Sequence, residues 1–183
     1  MLNGITLGII IVIVIFLFLF VVSLLTNLLL APVIRTPKKV IQEILEIMNL
    51  SKEDTFVDFG CGDGRLVLSA YDQAKCKCIG YDISPIMLIL AKTARVIRYP
   101  LSKDIIFDAQ DVFQVDISNV TKIYCFLDEK SMDILNEKLS NFVKGGGEVY
   151  SYMYGIEGLK NEKKVILSNE KILYVYRDVH RDH

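Results

Sequence analysis

The stretch that decides the fold reads Val57-Asp58-Phe59-Gly60-Cys61-Gly62-Asp63-Gly64-Arg65. An apolar run precedes its three glycines, which stand at alternate positions, and an amphipathic run over 66–71 follows them. This order predicts a strand, a tight turn and a helix. Glycine permits positive φ and lets a ligand approach the backbone, because it carries no Cβ. The free N–H groups of the helix start favour a polar or anionic ligand, so we expect a nucleotide-like cofactor here.

Outward from this turn, strand-like and helix-like runs alternate. The predicted strands cover 54–59, 76–81, 105–108, 122–127, 148–154, 164–167 and 171–177, and the predicted helices cover 37–49, 64–73, 86–98 and 131–143. Alternation of this kind predicts an α/β fold: a Rossmann-like, seven-stranded, mostly parallel sheet with helices on both faces. The last two runs form a hairpin, which we expect to add antiparallel strands at one edge.

A different segment precedes this body. Residues 1–34 contain no charged side chain, so all 21 Lys+Arg and all 22 Asp+Glu lie in the remainder. The apolar run 5–34, at about 1.5 Å per helical residue, exceeds the roughly 30 Å hydrocarbon core of a bilayer. The alternative is a cleaved signal peptide, but the first four residues lack its basic n-region and the apolar run is too long. We therefore predict a single transmembrane helix within 1–34 and a separate domain over 35–183.

The flanks of this helix predict its orientation. Arg35, Lys38 and Lys39 follow the apolar run, and no basic residue precedes it. The positive-inside rule then places the domain on the cytoplasmic side of a membrane, with residues 5–34 in contact with the bilayer.

Charge and cysteine spacing exclude several classes of site. The formal net charge is −1, and no basic cluster typical of nucleic-acid binding is present, so we expect no nucleic-acid substrate. The cysteines do not have zinc-ligand spacing, so we expect no metal site and read them as reduced thiols: Cys61, Cys76, Cys78 and Cys125. Both histidines, His180 and His183, lie in the charged tail, which argues against a Ser-His-Asp or Cys-His mechanism.

The glycine spacing helps to choose the ligand. Dinucleotide-binding proteins use G-x-G-x-x-G, whereas this chain has Gly60-x-Gly62-x-Gly64, preceded by Asp58. The tighter pattern resembles motif I of the class I S-adenosylmethionine-dependent methyltransferases. A dehydrogenase is the weaker alternative, because the third glycine has the wrong spacing.

Acids at two further strand ends extend the resemblance. Asp82 ends the second strand, where a carboxylate can accept the ribose hydroxyls of a nucleoside. The resemblance implies that Asp111 faces the adenine amino group and that Asp58 meets the methionyl ammonium of S-adenosyl-L-methionine. The alternatives without a ligand-binding role are a helix cap for Asp82 and an ordinary loop acid for Asp111. The cofactor-binding residues predicted in this way are Thr36, Asp58, Gly60, Cys61, Gly62, Asp82, Ile83, Asp111 and Val112.

Three segments narrow the resemblance to one subgroup: residues 35–40, 57–65 and 111–117. They resemble a group that contains archaeal broad-specificity protein-lysine methyltransferases and mitochondrial lysine methyltransferases acting on the adenine nucleotide translocase and the ATP synthase c-subunit. The similarity covers about 35–177, and the mitochondrial members also carry an N-terminal hydrophobic segment. It implies N-methylation of a protein lysine, with a membrane protein as a suitable substrate.

The methyl acceptor is expected beside the ends of the fourth and fifth strands. There we predict Asp128 as a proton acceptor and Tyr154 as a residue lining the lysine channel. The alternatives are a helix N-terminal acid for Asp128 and strand packing for the tyrosine. Two other functions remain open: a small-molecule or lipid methyltransferase on the same fold, and a non-catalytic cofactor-binding membrane module.

Overall fold

The computed structural model describes residues 3–30, 36–159 and 162–177, which fall into two compact units divided between Thr36 and Pro37. The first unit contains helix α1 (Gly4–Leu30), whose 27 residues carry no acidic or basic side chain. Its window Thr6–Ser23 has a mean hydropathy of 3.2 and is long enough to cross a bilayer. Residues 31–35, which include the end of the predicted anchor and Arg35, lie outside the described residues, as do His180 and His183.

The second unit contains every strand and helix predicted for the body, with ends that differ by one or two residues. In chain order the elements are α2 (Lys38–Met48), β1 (Thr55–Phe59), α3 (Arg65–Ala74), β2 (Lys77–Tyr81), α4 (Pro85–Arg98), β3 (Ile105–Asp108), β4 (Lys122–Cys125), α5 (Glu129–Lys144), β5 (Glu148–Tyr152), β6 (Glu162–Ile166) and β7 (Ile172–Tyr176).

The strands form one seven-stranded sheet in the order β3-β2-β1-β4-β5-β7-β6. Strands β1 to β5 pair in parallel, and β7 is antiparallel to both β5 and β6. The predicted fold class is therefore confirmed. One detail is corrected: β7 lies inside the sheet, and β6, at the edge, runs in the same direction as β5. A tight hairpin turn after β6 permits this, because it returns β7 into the space beside β5.

The register brings the functional segments to one edge. Phe59 pairs with Tyr81 and with Cys125, and Tyr81 pairs with Asp108, so the carboxyl ends of β1 to β4 are aligned. Strand order reverses between β1 and β4. In open α/β sheets a ligand crevice forms at such a reversal, outside the carboxyl ends of the strands.

Buried side chains cover both faces of the sheet. Side chains of α2, α3 and α4 pack with Phe56 and Tyr124 in one cluster, whereas those of α5 pack with Val57 and Ile123 in another. Neighbouring residues of a strand point to opposite faces, which explains why β1 and β4 contribute to both clusters.

Two helices differ in detail from what their sequences indicate. Helix α2 begins at Lys38, one residue later than predicted, and Pro37 is its N-cap with φ −59° and ψ 147°. The extended ψ of Pro37 places it just outside the helix. In α4 several apolar residues recur with helical spacing, but only Leu88 and Ala91 are buried, whereas Leu90 and Ile97 are exposed. Periodicity identifies residues that share a face but not the face that a sheet covers.

Candidate cofactor site

The turn after β1 depends on glycine at all three positions. Gly60, Gly62 and Gly64 have φ of +79°, +54° and +75°. The N–H groups of Gly60 and Cys61 both donate to the Tyr81 carbonyl, at 2.8 and 3.0 Å, which anchors the turn on β2. A side chain at any of these positions would be strained, because L-residues rarely adopt positive φ.

The three glycines meet different surroundings. A Cβ built on Gly64 would lie 2.5 Å from the ring of Phe107, so this glycine permits close packing of α3 on the sheet. A Cβ on Gly60 would lie 3.0 Å from Leu127. A Cβ on Gly62 would meet no atom within 4 Å. Gly62 therefore borders open space, where a ligand can approach the backbone.

Asp82 joins this turn to the start of α4. One carboxylate oxygen accepts the N–H of Gly62 and the other accepts that of Ser84, each at 2.8 Å. Ser84, and not Asp82, is the N-cap of α4, since its side chain accepts from Met87. Each carboxylate oxygen has lone pairs beyond the one used here, so Asp82 retains acceptors for two vicinal hydroxyls.

Asp58 is the buried acid of the site, with 3% of its surface exposed. Burial, and then the charges of Asp82 and Asp63, raise the pKa of Asp58 to about 8. Asp63 is itself held by Arg65 in an ion pair of 2.7 Å, as expected for a residue of the turn. A cation placed beside Asp58 would stabilise its charged form, so this position favours a ligand with an ammonium or sulfonium group.

Replacement of Asp58 by asparagine is expected to make stability less sensitive to pH. The folded carboxyl keeps its proton up to about pH 8, whereas the unfolded one loses it near pH 4. The contribution of the Asp58 carboxyl to the stability of the folded state is therefore fully present below about pH 4 and is lost as the pH rises to about 8. The melting temperature of the Asp58→Asn protein should equal that of the wild type at acidic pH and should be higher by about 4 °C or more at pH 8 to 9. The control is Asp133→Asn on the exposed side of α5; parallel pH profiles for wild type and Asp58→Asn would contradict this.

The loop after β3 presents the third predicted acid. The Asp111 carboxylate is exposed and accepts the N–H of Phe113 at 3.0 Å and the side-chain amide of Gln114 at 3.4 Å. Val112, next to it, is buried. The acid therefore organises its own turn and stands at the same edge of the sheet as Asp82.

Lys138 of α5 holds this loop in place, and no pattern in the sequence indicates this role. Its ammonium donates to the carbonyls of Val112, Phe113 and Val115, at 2.9, 3.3 and 2.6 Å. These bonds use all three ammonium protons. Desolvation lowers the pKa of Lys138, and the charge of Asp111 opposes that shift. A lysine on an amphipathic helix is usually solvated, so only the tertiary structure identifies it as a positioning residue.

Substitution of Lys138 by methionine should weaken cofactor binding without slowing the chemical step. The side chain keeps its length but loses three hydrogen bonds, so the Asp111 loop loses its fixed position. We expect the KM for S-adenosylmethionine to rise about tenfold, equivalent to about 1.4 kcal/mol, with kcat almost unchanged. Lys144→Met, an exposed change on the same helix, is the control. A fall in kcat at constant KM would rule out the positioning role.

The remaining predicted contacts have varied surroundings. The Cys61 side chain is buried against Gly80, where an added Cβ would lie 2.7 Å from its sulfur, and burial raises the pKa of its thiol. Ile83, by contrast, is 79% exposed and follows Asp82 in the chain. An exposed apolar side chain at this position is suited to cover a flat apolar ligand. Thr36 belongs to the first unit. The cofactor contacts of these three residues, like those of the other six residues predicted to bind it, remain predictions.

Asp128, the predicted proton acceptor, is the N-cap of α5. It accepts the backbone N–H of Ser131 at 3.0 Å and the Ser131 hydroxyl at 2.9 Å. These hydrogen bonds lower the pKa of Asp128. A capping carboxylate of lowered pKa is a weak base, so the geometry favours the helix-terminus alternative for this residue.

Tyr154 lines a cleft of about 490 Å³ next to the end of β5. Four carboxylate residues line the same cleft: Glu129, Asp133, Glu157 and Glu162. Met153, directly before Tyr154, has a φ of +77°, which is uncommon for a residue other than glycine and is typical of functional loops. The cleft thus combines an aromatic side chain with a negative lining.

The crevice fits an S-adenosyl nucleoside by its own chemistry. It offers an open backbone at Gly62, paired acceptors on Asp82, a buried acid at Asp58 and an exposed apolar side chain at Ile83. Within the described ranges no group of three or more His, Cys, Asp or Glu side chains is arranged to hold a metal ion.

Known proteins resemble this chain in sequence. The family profile described as the ANTKMT methyltransferase domain matches residues 58–163. A protein-lysine N-methyltransferase of Saccharolobus islandicus is 32% identical over 136 residues, which cover 74% of this chain and 83% of that protein. The adenine nucleotide translocase lysine N-methyltransferase of Mus musculus is 24% identical over 120 residues, which cover 66% of this chain and 52% of that protein.

A solved structure supports the same fold. An RNA methyltransferase from Salinibacter ruber, crystallised with S-adenosyl-L-homocysteine, superposes with a TM-score of 0.71 at 24% identity, covering 79% of this chain and 93% of that one. Together with the family match, the S-adenosyl-L-homocysteine bound there supports the predicted S-adenosylmethionine cofactor. The chain belongs to the ANTKMT methyltransferase domain family.

Proposed function

We propose that this methyltransferase acts on lysine side chains of proteins and is anchored to a membrane by α1. The observation that carries the lysine assignment is the acidic cleft around Tyr154. Glu162 is already paired with Lys164 at 2.9 Å, but the other three carboxylates of the lining favour a cationic side chain over a neutral or anionic acceptor. The names of the archaeal and mouse relatives point to the same acceptor.

One end of the cleft lies near the carboxyl ends of β4 and β5, because Glu129 follows β4 and Tyr154 follows β5. Its other end extends along the sheet to Glu162, which accepts a hydrogen bond from Tyr176.

Leu127, which follows β4, approaches Gly60, and the Met132 sulfur lies 3.7 Å from the Ser151 hydroxyl oxygen in β5. The Ser151 hydroxyl in turn donates to the carbonyl of Tyr154. Leu127 thus borders the glycine turn, and Ser151 links the Tyr154 carbonyl to β5. We infer that the methyl group is transferred between these two points.

The residues of the chain have separate tasks in this proposal. The cofactor, when bound, supplies an electrophilic methyl group. Asp82 and the glycine turn fix its position, which lowers the entropic cost of an in-line transfer. The carboxylates of the cleft attract the lysine ammonium, and the aromatic wall of Tyr154 desolvates it, which favours loss of its proton. A carboxylate of the cleft can then accept that proton.

The anchor assignment rests on α1. It has no charged residue, and the exposed side chains of Thr6–Ser23 are long and apolar. Lys38 and Lys39 follow it in the sequence, which supports placement of the methyltransferase domain on the cytoplasmic side. Tethering at the bilayer would raise the effective concentration of a membrane-protein substrate.

A labelling experiment tests the acceptor. The full chain, reconstituted in vesicles, is incubated with methyl-tritiated S-adenosylmethionine and a membrane extract of the source cells, with Asp82→Ala as the inactive control. We expect label in protein bands and, after acid hydrolysis, in methylated lysine. Label confined to the lipid-containing organic phase or to RNA would overturn the lysine assignment.

A fractionation experiment tests the anchor. Alkaline carbonate should leave the full chain in the membrane pellet, and protease added outside intact cells should spare the domain until the cells are lysed. Release by carbonate would contradict the anchor, and digestion in intact cells would contradict the orientation.

A further inference from the structure

Helix α4 exposes apolar side chains on the face opposite the core. Leu88 and Ala91 point inward, whereas Ile89, Leu90, Val96 and Ile97 are 62%, 44%, 55% and 75% exposed. These four form two adjacent rows of i, i+7 spacing, which at 100° per residue lie together on the outer side of the helix. Leu101, shortly after the helix, is 92% exposed and extends this surface. We call these five residues the α4 outer face.

Helix α4 itself carries charges of one sign, and the acidic side chains near it belong to other segments: Asp72 of α3 and the exposed Asp104. Helix α4 contains three cations and no acidic residue. Arg98 is paired with Asp72 of α3 at 2.6 Å, and Arg95 donates to the Ser102 carbonyl. Lys92 and Lys103 are exposed beside the apolar residues. An amphipathic helix with basic flanks and an apolar surface is typical of helices that lie in a membrane interface.

We propose that the α4 outer face lies in the headgroup region of an anionic bilayer, with its apolar side chains at the acyl boundary and Lys92 and Lys103 at lipid phosphates. A second copy of the chain fits less well. Two such faces meeting about a twofold axis would bring the same cations together without an acid from α4 to pair with them. The proposal does not depend on the lysine acceptor or on α1.

Position-specific labels in the full chain test this contact. All four native cysteines are buried, so an environment-sensitive fluorophore can be attached to single introduced cysteines. Ile97→Cys probes the α4 outer face. Ile134→Cys, an isoleucine of α5 that is 65% exposed, is the matched control, and Leu17→Cys reports on α1. Each protein is reconstituted with phosphatidylcholine–phosphatidylglycerol vesicles that contain a spin-labelled lipid quencher.

We expect the quencher to reduce fluorescence at position 97 severalfold more than at 134. In vesicles of phosphatidylcholine alone, the effect at 97 should fall, because Lys92 and Lys103 lose their anionic partners. Quenching at 17 with none at 97 would overturn the proposal and leave the anchor intact. Quenching at 97 with none at 17 would support it and refute the anchor. A label at 97 that is shielded from water but not quenched would indicate a protein partner and would also overturn it.

Discussion

Asp82→Ala is expected to reduce affinity for S-adenosylmethionine at least about 100-fold, because hydrogen bonds to a charged acceptor contribute about 1.5–3 kcal/mol each. Alanine removes the acceptors that we assign to both ribose hydroxyls, and it also releases the N–H groups of Gly62 and Ser84. Titration calorimetry on the full chain in detergent measures the loss directly. The fold should persist, since Asp82 is partly exposed and lies outside both buried clusters.

The matched control for this change is Asp104→Ala. Asp104 is exposed and lies before β3, at the opposite edge of the sheet. The Asp104→Ala protein should bind the cofactor with wild-type affinity and have an unchanged far-ultraviolet circular dichroism spectrum. Wild-type affinity in Asp82→Ala would remove this carboxylate from the site, and equal loss in both variants would indicate a general effect of charge.

Gly64→Ala is expected to destabilise the domain by about 3 kcal/mol, through strain at positive φ and overpacking. The added methyl group would lie 2.5 Å from Phe107 and 2.9 Å from Ala91, both buried, at a φ of +75°. Chemical denaturation should show a lower midpoint at an unchanged slope. An unaltered midpoint would mean that α3 does not pack against β3 as closely as the structure shows.

Gly62→Ala is the contrasting change in the same turn. Its methyl group would enter open space, so only the positive φ acts on stability, with a cost of about 1 kcal/mol. Cofactor affinity should nevertheless fall, because the methyl group projects into the crevice. A Gly62→Ala protein that binds cofactor as well as the wild type would show that the open space is not the ligand site.

The sequence predicted the backbone of the glycine turn, which local chemistry determines. Three glycines at alternate positions require a particular backbone, and the turn adopts it at Gly60, Gly62 and Gly64. The acids at 82 and 111 follow strands whose order brings their ends to one edge, so the parallel fold was enough to place them together. Asp82 also holds the turn, which no local pattern indicates.

Other features depend on tertiary contacts and could not be predicted. In the sequence, Lys138 cannot be distinguished from a solvated surface lysine. Only the folded structure shows its hydrogen bonds to the loop after β3. Asp128 has the same sequence context whether it caps α5 or accepts a proton, and only its hydrogen bonds to Ser131 show the cap. The exposure of Leu90 and Ile97 depends on which side of α4 the sheet covers.

A crystal structure of the chain with S-adenosyl-L-homocysteine would locate the cofactor site directly. We expect electron density for adenosine above Gly62, with both ribose hydroxyls within hydrogen-bond distance of the Asp82 carboxylate and the amino-acid moiety near Asp58. Nucleoside density at another place, or side chains of the protein filling the space above Gly62, would contradict this expectation.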